Sequence, residues 1–165
     1  MPAMGPLIYC DTNVYSRPFD DQTQAVIQAE SNAFLEIISR TRDGDLRLLC
    51  SDIVEFEVIN MLEEGKRNKV RSYLDLCSEH VKSTDEVLEL GKQIQGNCRL
   101  RPRDALHVAS AIIGRARYFL SCDNKVTQMR RARCYRRLAK EHRAQYFSAM
   151  NPVRFSEKMQ KGKVE

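Results

Sequence analysis

Short apolar runs alternate with longer stretches of helical period along this chain. Leu7-Ile8-Tyr9-Cys10 is a continuous apolar run, the pattern of a strand covered on both faces. Leu46 to Cys50 and Tyr118-Phe119-Leu120-Ser121-Cys122 read the same way, and Gln145–Ala149 is a fourth strand candidate. His80-Val81-Lys82 reads as a short extended link. Residues 22–40 place Val26, Ala29, Ala33, Phe34, Ile37 and Ile38 at helical spacing, with Asp20 or Asp21 as the cap and Thr41-Arg42-Asp43-Gly44 as the end. Helices are also predicted over 52–64, 66–79, 84–95, 125–143 and 153–160. Pro102 suits the first turn of a further helix, whose segment ALHVASAIIG is apolar nearly all round and so buried, with Gly114 closing it.

Strands alternating with helices predict a parallel sheet with helices on both faces. At 165 residues the chain reads as one domain, with a core over about 7–150 and a basic C-terminal extension over 151–165. In such sheets ligands bind beyond the carboxyl ends of the strands. Asp11 and Asp123 both follow apolar strands directly, so both are expected in that crevice. Asp104 falls in the first turn of the buried helix, where the positive end of the dipole favours a carboxylate. The helix over 52–64 offers Glu55 or Glu57. Its apolar residues nearly surround it, so periodicity does not choose between the two.

If Asp11, one of the glutamates, Asp104 and Asp123 converge, their carboxylates repel and resist ionising. A hard divalent cation removes that repulsion, and an all-oxygen set suits Mg²⁺ or Mn²⁺. Such an ion activates water and stabilises charge in phosphoryl transfer.

Charge sharpens this picture. The net charge of +5 hides an asymmetry: residues 1–98 hold 10 Lys+Arg against 17 Asp+Glu, and residues 99–165 hold 17 against 5. An anionic partner is expected for the basic half, nucleic acid first. Lys125, Arg130, Arg131, Arg133, Arg136 and Arg137 crowd one predicted helix, and Arg101 and Arg103 flank Asp104. An acidic pocket beside a basic flank is the combination of a nuclease. The six cysteines form no CxxC pair and read as small hydrophobes, so neither a disulfide set nor a zinc site is expected, and a reducing cytoplasm fits. No secretory signal is visible, and no stretch approaches the ~18 apolar residues of a membrane span. His107, one turn after Asp104, reads as a hydrogen-bonded helix histidine.

Taken in order, LIYCDTNV, LLCSDIVEFEVI, RDALHVASAII and FLSCDNKV resemble the PIN domain family of metal-dependent nucleases. The resemblance implies a three-layer α/β/α sandwich around a central, mostly parallel sheet of about four or five strands. It implies an Mg²⁺- or Mn²⁺-dependent endoribonuclease with catalytic residues Asp11, Glu57, Asp104 and Asp123. Of these, Asp11, Asp104 and Asp123 would bind metal, and Asn13 and Ser121 would support them. Counting from Ser51 selects Glu57, with Glu55 as the alternative. The family includes toxin ribonucleases of prokaryotic toxin–antitoxin pairs, so RNA, an antitoxin protein and a homodimer are the implied partners. The rival readings are a haloacid-dehalogenase-type phosphatase, a receiver domain and a non-catalytic binding module. The phosphatase wants an aspartate where Asn13 stands, and the receiver wants paired acidic residues after its first strand. The module is opposed by the filled acidic positions.

Overall fold

The computed structural model describes residues 4–144 and 146–165, so the Gln145 end of the fourth strand candidate lies outside the described residues. The strands are β1 (Leu7–Cys10), β2 (Arg47–Ser51), β3 (Glu79–Val81), β4 (Tyr118–Leu120) and β5 (Ser148–Met150). All run parallel in one sheet of order β3-β2-β1-β4-β5. The helices are α1 (Thr12–Ser16), α2 (Ala25–Arg42), α3 (Asp52–Ile59), α4 (Glu64–Leu74), α5 (Asp85–Cys98), α6 (Pro102–Ile113), α7 (Asn124–Thr127), α8 (Met129–Glu141) and α9 (Pro152–Gln160). The architecture is the expected α/β/α sandwich.

β1 lies at the centre and every one of its residues is buried, because helices cover both faces. Side-chain alternation sorts the aromatic residues between the layers. Tyr9 and Phe119 are register partners whose rings stack at 5.6 Å on the face that carries α6, where Tyr9 also meets the ring of His107. Tyr118, one residue earlier, packs instead on Phe155 of α9. Phe34 of α2 meets Tyr15 and Tyr73 edge to face, which ties α1 and α4 to that helix. The end of α6 approaches the sheet so closely that a Cβ on Gly114 would stand 2.4 Å from Leu49 Cδ2. Its φ is −73°, so close approach rather than a left-handed turn calls for glycine there, and the positive φ falls on Arg115.

Several boundaries differ from the sequence reading for local reasons. The helix expected over 52–64 stops at Ile59, where the Asn60 side chain donates to the Phe56 carbonyl and competes with the next helical turn. The basic helix expected over 125–143 is two helices, because Gln128 is extended, with ψ 146°. His80-Val81 belongs to an edge strand rather than a link. Neither Asp20 nor Asp21 caps α2, which begins at Ala25; Asp21 instead closes a turn on Thr23. The cysteine expectation is also corrected. Cys98 and Cys134 form a disulfide across 36 residues, because α5 and α8 pack side by side and bring their Cα atoms to 5.7 Å.

Candidate metal centre

The site forms where β1 and β4 end. The Asp11 amide donates to the Leu120 carbonyl, a last bond that fixes the backbone as it leaves the sheet. The Asp11 carboxylate is nearly buried and accepts from Ser121 Oγ at 2.9 Å and from Asn13 Nδ2 at 3.3 Å. Asn13 donates in turn to Ser121 Oγ at 3.1 Å, and its Oδ1 accepts from the Cys122 amide at 2.9 Å. Asn13 and Ser121 therefore brace Asp11 against the start of the β4–α7 turn.

Glu57 arrives from α3. Ser51 ends β2 and its Oγ caps α3 by accepting from the Val54 amide, which sets the rotation of that helix. Glu57 then turns inward and accepts from Thr12 Oγ1 at 2.7 Å and from His107 Nε2. Glu55 is exposed and faces His80, so of the two glutamates it is Glu57 that lies beside Asp11. His107 is buried in α6, with Nδ1 2.7 Å from the Tyr9 hydroxyl and Nε2 3.5 Å from Asp11 Oδ1. Tyr9 reaches on to Ser51 Oγ at 2.7 Å. Asp11, Glu57 and His107 each present a ligand-capable atom within 4.8 Å of the others.

Asp104 and Asp123 line an adjoining depression of about 170 Å³, together with Arg99, Arg101, Lys125 and Arg131. Asp123 also caps α7, accepting from the Lys125 amide at 2.9 Å. A larger depression of about 460 Å³ follows, lined by Arg99, Arg130, Arg131, Arg133 and Arg137 over the Cys98–Cys134 disulfide. Arg99 and Arg131 belong to both, so the acidic site opens directly into a guanidinium-lined path. Arg103 lies at the opposite rim, 3.5 Å from Glu57 Oε2, and Arg136 lines neither depression.

The electrostatics are those of crowded acids. Burial first, then Glu57, pushes the Asp11 carboxyl above its ordinary value, against the pull of His107 and Ser121. Burial, Asp11 and Asp123 push Asp104 up likewise. Burial drags the His107 imidazole down, but Asp11 and Glu57 outweigh it and hold the group above its usual range. Burial also raises Glu57, yet the bonds from His107 and Thr12 win and leave it lowered.

Thr12 and His107 bond to Glu57 and so border the candidate site, where the sequence reading did not place them. Their only signal in the chain is position: Thr12 follows Asp11, and His107 stands one turn after Asp104. A model of the PIN domain family matches residues 8–132. No curated protein matches the chain.

Proposed function

The chain belongs to the PIN domain family, and from that premise we propose that it is a metal-dependent endoribonuclease. The observation that carries this reading is the group of Asp11, Glu57 and His107 beyond the sheet, with Asp104 and Asp123 in an adjoining depression that leads into a path lined with arginines.

The carboxylates fit a hard divalent cation. Asp11, Asp104 and Asp123 offer oxygen donors, and burial first, then neighbouring acids, raises Asp11 and Asp104, a penalty on their charged forms that a cation would offset. These three residues would hold Mg²⁺ or Mn²⁺, which when bound would acidify water and offset charge on a phosphoryl group. The chain's own residues do the rest. Ser121 and Asn13 fix the Asp11 carboxylate in one orientation. Thr12 and His107 hold Glu57 Oε1, which leaves Oε2, facing Arg103, to help orient the attacking water. Arg99, Arg130, Arg133 and Arg137 supply cationic groups to a phosphate backbone leading away from the acids. RNA is the proposed substrate, and an antitoxin partner or a homodimer remains part of the proposal as the family resemblance implies it.

The test is cleavage of structured and single-stranded RNA in Mg²⁺, Mn²⁺ or EDTA by the wild type and by Asp104→Asn. Metal-dependent cleavage that the variant loses is the expected result. No cleavage by the wild type, combined with no Mn²⁺ binding in titration, would overturn the reading in favour of a binding module.

A further inference from the structure

A second group of metal-ligating side chains lies away from the acidic centre, at the edge of the sheet. Cys50 in β2 and His80 in β3 are register partners, so their side chains leave the same face of adjacent strands. Glu55, on the first turns of α3, reaches over them. One ligand-capable atom each from Cys50, Glu55 and His80 lies within 4.8 Å of the other two.

The histidine is oriented for coordination. Its Nε2 is bonded to Asp52 Oδ1 at 2.6 Å, and Asp52 Oδ2 accepts from the Ser83 amide at 2.9 Å. This leaves Nδ1 turned toward Glu55, 3.6 Å from its Oε1. A carboxylate behind the distal ring nitrogen is the arrangement that fixes the tautomer of metal-binding histidines. A thiol, an imidazole and a carboxylate form a borderline set. That set selects zinc over the magnesium class, which takes oxygen ligands. We propose that Cys50, Glu55 and His80 bind one zinc ion.

Binding releases the Cys50 thiol proton to solvent, and a water completes the tetrahedron that three protein ligands begin. The ion ties the edge strand β3 to β2 and α3. Because α3 also carries Glu57 two residues after Glu55, the clamp stiffens the helix that serves the acidic centre. The proposal does not depend on the nuclease reading.

The experiment is metal analysis of the reduced full-length protein, followed by replacement of zinc with Co²⁺. One zinc per chain, and the thiolate-to-cobalt absorption of a tetrahedral site, are expected. Cys50→Ser abolishes that absorption, and Asp104→Asn leaves it intact, which separates this site from the acidic one. Asp52→Asn, at a partly exposed position, folds and lowers zinc affinity by about 10- to 100-fold in competition with a chelator. Overturning results are a reduced, folded wild type without thiolate–cobalt absorption, or absorption that survives Cys50→Ser.

Discussion

His107 donates through Nε2 to Glu57, a residue fifty positions earlier, and the bond joins α6 to α3 across the mouth of the acidic site. The same nitrogen stands 3.5 Å from Asp11 Oδ1. A buried imidazole thus supplies the cationic or donor group that two carboxylates share. His107→Gln should weaken Mn²⁺ binding by about 10- to 100-fold, since the loss of groups that orient ligands costs that much. A Mn²⁺ titration of both proteins checks this, and unchanged affinity would show that the imidazole holds nothing in place.

Protons and metal compete for this centre, and the directions of the shifts fix the sign. Asp11 and Asp104 are raised above 3.8, so over that range the folded chain keeps protons the unfolded chain has lost, and stability falls as pH rises. His107 is raised above 6.5, so its contribution is complete below 6.5 and is lost as pH rises through the folded value. Glu57 and Asp52 are lowered, so their contributions are present above the ordinary carboxylate range and are lost as pH falls through the folded values. The metal-free protein should therefore be most stable in mild acid, between the carboxylate range and 6.5. Urea midpoints taken from acidic to alkaline pH in EDTA should show this maximum. Added Mn²⁺ should move it toward higher pH.

The arginines of the path divide into two kinds. Arg131 donates to the carbonyls of Cys98, Arg99 and Lys125, so its guanidinium holds the chain together where α5 ends and α7 begins. Arg133 and Arg137 are exposed and line the larger depression. Arg133→Ala should leave folding intact and reduce the salt dependence of RNA binding by about 0.7 in log–log slope for a single-stranded substrate. Arg131→Ala should lower the melting temperature as well. Binding isotherms at several salt concentrations, together with thermal melts, distinguish the two.

Gly114 leaves no room for a side chain. Gly114→Ala places a methyl against Leu49 Cδ2 and 3.0 Å from the Ser110 carbonyl, in a core already closed by the sheet. Overpacking of this kind should cost about 1–3 kcal/mol. Equilibrium urea unfolding measures it, and a variant as stable as the wild type would show that Leu49 yields freely.

Local pattern determined much of this protein. A continuous apolar run is what a strand buried on both faces requires, so β1, β2 and β4 could be read directly, as could the positions of Asp11 and Asp123 at or just beyond their ends. The buried character of α6 was legible too, since seven of its twelve residues are buried. Only the tertiary structure decided how α3 is rotated. Its apolar residues nearly encircle it, and packing left Phe56 and Ile59 exposed while turning Glu57 toward Thr12 and His107. The same limit applies to the bond between Cys98 and Cys134 and to the meeting of Cys50 with His80. Helical and strand periods report which way a residue faces along its own element. They carry no information about which distant element it will face, because that is set by the packing of the whole chain.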